Sequence, residues 1–306
     1  MTEKGYGTAW VKERSLKASV KDAWFLFALH LKKEFRAFAP FVVLVAMLAA
    51  FFSEMCRQFV ADFFLPMIRM AQAGADDDML WQQMQGSAWL MAGGLMSVLM
   101  LTLAMYWYYG RVFRFLKASA SGVEVDDVVK HQVLTREDRR LAWHMFSVDL
   151  ASALLSVLVS MVVGVLALRW SWVSMLTIPF AAYYTVAARA ARHEYVFEEK
   201  PYGESLKLAY GKEWGRSFVL DVVCMWPVLA VRLVALLPLL VGFHVTIMAS
   251  DSWLMGDGLQ MPAVLPFLFF VLNTLGFAVC LVSGLFMVYA RSMRLHQVKD
   301  LDGNVQ

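Results

Sequence analysis

The chain has 306 residues, of which 60% are hydrophobic and only 17% are charged, and its formal net charge is +3. Soluble domains carry about 45–50% apolar and about 25% charged residues, so this composition disfavours a large soluble globule. The three cysteines, Cys56, Cys224 and Cys280, are isolated. They lack the spacing of a zinc site or a disulfide framework, and we expect no metal and no cofactor.

Residues 1–36 form a hydrophilic, basic segment in which apolar residues recur every three or four positions. The recurring residues are Val20, Trp24, Phe27, Leu31 and Phe35. This spacing predicts an amphipathic helix that lies at the headgroup level of a membrane, on its cytoplasmic side. The alternative is a short helix packed on the core before the first span.

Six apolar stretches follow, each of about the length that crosses a hydrocarbon core about 30 Å thick. We predict spans at 37–54, 88–109, 148–168, 171–188, 217–242 and 263–289. They form an all-α membrane domain, 37–289, of three helical hairpins, and residues 290–306 are a tail. Between the third and fourth spans lies only Arg169-Trp170, which predicts a tight hairpin.

The lysines and arginines lie mostly on one side of these spans. The N-terminus holds eight, the 110–147 loop seven, the 189–216 loop six and the tail three, against three on the opposite side. Cytoplasmic loops of membrane proteins carry the excess of cations. The sequence therefore predicts a membrane protein with both termini in the cytoplasm.

Three spans end on a similar pair of arginines, three residues apart. The pairs are Arg111 and Arg114, Arg189 and Arg192, and Arg291 and Arg294. Arginines at this spacing share one helix face and suit either phosphate headgroups or a neighbouring acidic loop. We interpret the pattern as an internal repeat of three parallel hairpins, or as a product of membrane topology alone.

Other polar residues are candidates for a site. Asp149 and Asp221 each fall at the predicted start of a span, where a carboxylate complements the helix dipole. Arg232 is the one cation inside a predicted span, and we expect Asn273, at a similar predicted depth, to accept a hydrogen bond from it. Alternatively, Arg232 extends towards the headgroups. Glu137 and Asp138 are interpreted as a solvated helix face rather than an acid/base pair.

Two spans carry ladders of small residues at four-residue intervals, which are typical of close helix packing in lipid. These ladders are Ser152, Ser156, Ser160 and Gly164, and Gly276, Cys280 and Gly284. The six histidines are scattered, and hydrolase and nucleotide-binding motifs are missing. The basic residues follow the membrane edge, which disfavours a nucleic-acid partner.

One cytoplasmic loop carries a family resemblance. The stretch Tyr195-Val-Phe-Glu-Glu-Lys-Pro-Tyr-Gly-Glu204, continued to Tyr210 and followed by Trp214, resembles a loose superfamily of six-span bacterial inner-membrane proteins. That group includes the membrane domain fused to some glycerophosphodiester phosphodiesterases. The resemblance implies the six-span architecture and a non-enzymatic role, and it transfers no catalytic residue.

We therefore expect a non-enzymatic membrane component that binds anionic lipid or another membrane protein at its cytoplasmic face. The first alternative is a small permease for an anionic solute, with its site around Arg232 and Asn273. The second is a membrane enzyme that acts on lipid headgroups near Asp149 and Asp221.

Overall fold

The structure is a computed structural model. It describes residues 16–72, 74, 77–120, 135–170, 175, 191, 195, 201, 203–204, 214–254, 262 and 264–303. Within these residues every regular element is helical, which confirms the all-α prediction for the described part of the chain. The helices are α1 Leu16–Phe59, a π-helical turn Val60–Phe64, α2 Leu65–Gln72, α3 Asp77–Gly86, α4 Ala88–Ala120, α5 Arg136–Arg169, α6 Trp214–Ala235, α7 Leu237–Leu254 and α8 Val264–Gly303.

Helix α1 is continuous across the boundary that the sequence suggested at residue 36. It runs for 44 residues and contains Pro40. The apolar stripe is also rotated from its predicted position, because Trp24 is 59% exposed while Phe27 is buried. The buried face of this first part of α1 consists of Ser19, Ala23, Leu26 and Phe27.

This buried face packs against α8 through Phe27. The Phe27 ring lies edge-on to the rings of Phe286 and Tyr289, with centroid separations of 6.3 Å and 6.1 Å. A helix with a buried face of small and apolar side chains gains its stability from tertiary packing. These contacts favour the packed alternative for the N-terminal helix, and a position at the headgroup level stays a prediction.

In the part of the chain that the structure describes, four helices are long and apolar enough to cross a membrane. The candidate spans are Phe38–Gln72, Ala88–Ser119, Phe218–Ala235 and Val264–Ser292. They overlap the first, second, fifth and sixth predicted spans. In Phe38–Gln72, 44% of the most apolar window is buried, against 17% in each of the other three.

For the third and fourth predicted spans, the described residues contain no apolar helix of that length. The third, 148–168, lies within α5, but the apolar helix described there, Val157–Leu166, is shorter than a full span. The fourth, 171–188, lies outside the described residues except for Met175. Helix α5 ends at Arg169, with Trp170 in an extended conformation, where the sequence placed a hairpin. The count of six crossings stays a prediction.

The fifth predicted span, 217–242, is not one helix. Helix α6 ends at Ala235, Leu236 forms a turn, and α7 begins at Leu237. Pro238 explains the break, because proline has no N–H to donate to the carbonyl four residues earlier. Within the first turn of α7 that missing donor is harmless. The Leu236 backbone N–H still donates to the Arg232 carbonyl, and the Leu240 N–H to the Leu236 carbonyl, so the interruption is local and a single crossing over 217–242 stays a prediction.

The chain divides into two compact units. Unit 1 comprises Met1–Ala39, Tyr106–Pro227 and Gly284–Gln306, and unit 2 comprises Pro40–Met105 and Val228–Ser283. Helices α1, α4, α6 and α8 contribute residues to both. In unit 1, Phe38 packs edge-on against Tyr108 and Phe115. In unit 2, the π-helical turn brings Phe59 and Phe63 to a ring separation of 4.8 Å.

Large apolar side chains are exposed along the candidate spans. On α4, Trp89 is 62% exposed, Leu95 64% and Leu99 56%. Contiguous apolar surface of this extent is typical of a membrane-facing or partner-facing surface. In a helix long enough to cross a bilayer, such a surface is compatible with contact with lipid.

Candidate functional site

Unit 1 contains a buried ion pair that joins α4 to α5. Arg111 Nη1 donates to Asp138 Oδ2 over 3.1 Å, and both side chains are fully buried. Gly110 allows this approach, because a Cβ there would lie 2.6 Å from the Asp138 carbonyl oxygen. Breaking a buried pair by removing one partner costs about 3–5 kcal/mol, since the other charge is left uncompensated.

The same carboxylate caps α5. The Thr135 hydroxyl accepts from the Asp138 backbone N–H over 3.2 Å, and the Thr135 backbone N–H donates to Asp138 Oδ2 over 2.9 Å. This reciprocal arrangement is a capping box, which satisfies two backbone donors that the first helical turn leaves open. The interpretation of Asp138 as a solvated residue is therefore wrong.

Arg114, the second arginine of the first pair in the repeat, also binds the start of α5. Its Nη1 donates to Thr135 Oγ1 over 2.8 Å, and its Nε lies 3.3 Å from Glu137 Oε2. The Glu137 side chain is 56% exposed, so this pair is weak compared with the buried one.

A second ion pair in unit 1 joins α6 to α8. Arg291 Nε donates to Asp221 Oδ1 over 2.6 Å, and Arg291 Nη2 donates to Asp221 Oδ2 over 3.0 Å. Two parallel hydrogen bonds of this kind make the planar guanidinium hold the carboxylate in one orientation. Asp221 is therefore an ion-pair partner rather than a residue that complements the helix dipole.

Asp149, like Asp221, does not lie in the first turn of its helix. It lies well inside α5, which begins at Arg136, and its Oδ2 accepts from the Tyr106 hydroxyl over 2.9 Å. The acidic residues of the first turn of α5 are Glu137 and Asp138. The predicted place of Asp149 at a helix start is therefore wrong, because α5 begins earlier than the apolar run.

The described arginines of the repeat thus bind carboxylates, the second of the two partner types considered from the sequence. Arg111 is fully buried, and Arg291 is largely buried. Arg189 and Arg192 lie outside the described residues, and Arg294 is described only as part of α8. A role of these six arginines in headgroup binding stays a prediction, and the geometry of Arg111 leaves it no exposed surface.

Tyr195, which begins the loop of the family resemblance, contacts α5. Its hydroxyl lies 2.7 Å from His144 Nδ1, and the two rings are edge-on. Among the described residues, no group of three or more His, Cys, Asp or Glu side chains is arranged to hold a metal ion.

In unit 2, the predicted hydrogen bond between Arg232 and Asn273 is not formed. The Arg232 side chain is exposed, and Asn273, which is only 6% exposed, has no hydrogen-bond partner at Oδ1 among the described residues. The register of the helices explains this. Gly276 of α8 meets the Ala235 carbonyl, and Gly242 of α7 meets Phe269.

Residue 273 therefore falls opposite the start of α7, about four to six residues beyond Arg232. At 1.5 Å per residue this separates the two side chains by about 6–9 Å along the helix axis.

Unit 2 contains a polar cluster that the sequence analysis missed. Arg57 of α1 forms an ion pair with Glu54, one turn earlier, through both its Nε and its Nη2. Arg57 Nη1 also donates to Thr246 Oγ1 of α7 over 2.6 Å, and both residues are buried. In the sequence, Arg57 is one of the three cations on the opposite side of the predicted spans. Its i, i+3 spacing from Glu54 was the available signal.

The sequence analysis also missed a pattern that α1 and α5 share. In α1, Lys17 and Lys21 are exposed, Trp24 is 59% exposed, and its ring packs on that of Phe27 at 5.9 Å. We call Lys17, Lys21 and Trp24 the α1 basic–aromatic face, and Phe27 lies behind Trp24 on the buried face.

In α5, Arg136 and Arg140 are exposed, Trp143 is 68% exposed, and its ring packs on that of Phe146 at 5.4 Å. We call these four residues the α5 basic–aromatic face. The residue spacing is identical on both helices. The side chains behind the two faces are buried at corresponding positions: Ser19 and Asp138, Ala23 and Ala142, and Leu26 and Met145.

Comparison of the chain with protein families, with characterised proteins and with solved structures gives no match.

Proposed function

We propose that the chain is a multi-pass protein of a bacterial inner membrane, with both termini in the cytoplasm. It acts as a non-enzymatic component that binds anionic lipid or another membrane protein through its cytoplasmic face. The observation that carries this proposal is the set of four long apolar helices with exposed apolar surfaces. Their lysines and arginines are concentrated on one side in the sequence.

The ion pairs of unit 1 support a non-enzymatic role. Asp138 and Asp221 are engaged by Arg111 and Arg291, and Asp149 accepts from Tyr106. A general acid or base needs a carboxyl group that reaches its substrate. Carboxylates committed to arginines inside a helix bundle serve stability and register instead.

Reporter fusions test the orientation. Alkaline phosphatase, which folds only outside the cytoplasm, should be active after Gly86 of α3 and after Leu254 of α7. Green fluorescent protein should be fluorescent after Gln306. The reverse pattern, or a chain that alkaline carbonate extracts from membranes, would overturn the proposal.

A second candidate is a path through unit 2 for a small anionic solute that carries a hydroxyl donor, such as dihydrogen phosphate. The observation that favours it is the buried Asn273 carbonyl oxygen, an acceptor that takes no hydrogen bond from the described residues. Buried polar atoms are normally satisfied, and those that are not are often bound to water or to a ligand.

Uptake of labelled inorganic phosphate into proteoliposomes tests this candidate, and chloride, which has no donor, is the control. Asn273→Leu should abolish the uptake. Thr274→Val should leave it unchanged, because the Thr274 hydroxyl bonds to the Phe270 carbonyl of its own helix. Uptake no greater than in protein-free vesicles contradicts the candidate.

A further inference from the structure

We propose that the α1 and α5 basic–aromatic faces are two equivalent seats for anionic phospholipid headgroups. This inference rests on the proposed function, because it requires the helices of unit 1 to meet a membrane surface. It assigns headgroup binding to Lys17, Lys21, Arg136 and Arg140 in place of the buried arginines of the repeat.

The two cations of each face are placed to bind a phosphate together. Residues four apart lie on one helix face, about 6 Å apart along the axis. The exposed indole follows on the same face, one turn further along the helix. Tryptophan is enriched at the membrane interface because its ring is apolar and its N–H is polar.

The carboxylates next to the α5 face are outnumbered by its cations. Asp138 is buried against Arg111, and Glu137 is the exposed carboxylate of this turn, beside three exposed arginines, Arg136, Arg139 and Arg140. The start of α5 therefore presents a net positive surface charge. Juxtamembrane cations of this kind gain about 1 kcal/mol each near an anionic bilayer surface.

Helix stability does not account for these cations. Arg136 is the first residue of α5, where the positive end of the helix dipole disfavours a cation by about 0.3–1 kcal/mol. An external anion beside Arg136 and Arg140 offsets that penalty. Both side chains are exposed.

The position of the α1 face agrees with a membrane surface. The Trp24 ring lies edge-on to Phe286 at 5.7 Å. Phe286 is in the last two turns of the candidate span Val264–Ser292. Trp24 thus lies beside the end of an apolar helix, where headgroups meet the hydrocarbon. The Phe25 ring next to it is 52% exposed, which adds apolar contact for the lipid chains.

Charge complementarity selects the occupant. Two cations and an indole at the end of an apolar span match an acidic headgroup with its acyl chains below. A zwitterionic headgroup offers a phosphate together with its own cation, which repels the lysines or arginines. We therefore expect both faces to prefer phosphatidylglycerol to phosphatidylcholine.

Native mass spectrometry of the full chain in neutral detergent tests the inference. Phosphatidylglycerol or phosphatidylcholine is titrated in, and the lipid adducts are counted. Lys17→Gln/Lys21→Gln and Arg136→Gln/Arg140→Gln should each weaken phosphatidylglycerol binding at one seat. The expected loss is about five-fold for each cation removed, or about 25-fold for each pair, and phosphatidylcholine binding should stay unchanged.

Two controls make the result specific. Arg169→Gln removes an exposed cation from the opposite end of α5 and should leave phosphatidylglycerol binding intact. Lys17→Arg/Lys21→Arg keeps the charge and should preserve binding. A thermal melting curve for each variant shows that the fold is retained.

The inference is overturned if both glutamine pairs bind phosphatidylglycerol as the parent does, or if Arg169→Gln weakens binding equally. That failure is distinct from failure of the proposed function. A chain with the expected reporter pattern and no lipid preference remains a membrane protein without these seats. A chain that does not enter the membrane removes both proposals.

Discussion

At the scale of single residues, the ion pairs of unit 1 differ in what surrounds them. Arg111 and Asp138 are fully buried, whereas the Glu137 side chain that faces Arg114 is 56% exposed. Solvent screens the exposed pair and leaves the buried one unscreened. The two adjacent acids therefore differ in their effect on stability: Asp138 stabilises the fold, and Glu137 contributes little.

This difference predicts the effect of two matched substitutions. Asp138→Asn should destabilise the protein by about 3–5 kcal/mol, because it leaves the Arg111 charge buried without a counter-charge. Glu137→Gln should change the stability by at most about 1 kcal/mol. Thermal unfolding in detergent, followed by tryptophan fluorescence, measures both. Equal melting temperatures for the two variants would contradict the assignment.

At the scale of helices, Arg57 connects α1 to α7. Its Nη1 donates to Thr246 Oγ1, and the Thr246 hydroxyl donates to the Gly242 carbonyl over 2.8 Å. Thr246→Val should cost about 1–3 kcal/mol, because the buried guanidinium loses an acceptor. Thr274→Val is the matched control and should stay within about 0.5 kcal/mol. Urea unfolding in detergent distinguishes them, and similar losses for both would contradict a special role for Thr246.

The close contact between α6 and α8 requires a glycine at position 276. A Cβ at Gly276 would overlap the Ala235 carbonyl oxygen, whereas a Cβ at Gly94 of α4 would meet nothing within 4 Å. Gly276→Ala should destabilise by about 1–3 kcal/mol through overpacking. Gly94→Ala should stabilise by about 0.5–1 kcal/mol, because alanine loses less backbone entropy in a helix. Melting temperatures that shift in the same direction would contradict the close contact.

At the scale of the whole molecule, the proposed topology predicts which thiols a reagent reaches. Cys224 and Cys280 lie within candidate spans, whereas Cys56 follows the first predicted span, 37–54, and is replaced by serine in the parent chain of this test. A membrane-impermeant maleimide should therefore leave intact cells unlabelled. Gln82→Cys, on the exposed surface of α3, should be labelled from outside, and Arg139→Cys only after permeabilisation. Labelling of the parent chain in intact cells would contradict the span assignments.

The sequence was most informative about apolar helices and least informative about side-chain partners. Four of the six predicted spans overlap apolar helices of sufficient length, because burial in lipid imposes long uninterrupted runs. Pro238 was the signal in the sequence for an interruption near Leu236. Prolines are tolerated inside spans often enough, however, that a proline alone does not locate a turn.

The candidate site was harder to predict, because its bonds connect distant parts of the chain. Arg291 and Asp221 are 70 positions apart, and Arg57 and Thr246 are 189 apart. A sequence motif shows which residues are close along one helix, but it does not show which residues of another helix pack against them. Local signals were present for the cap, since Thr135-x-x-Asp138 before an apolar run is a capping-box pattern. The repeated basic–aromatic spacing on α1 and α5 was equally readable, and its meaning required the burial of both helices.

The separation of Arg111 from its partner has a consequence for biogenesis. The ribosome makes Arg111 27 residues before Asp138. During that interval the end of α4 carries a bare guanidinium, which resists passage through the membrane. Only when α5 emerges does the carboxylate neutralise it. In the proposed topology, a side chain that ends in the dry interior has by then already helped to orient the nascent protein.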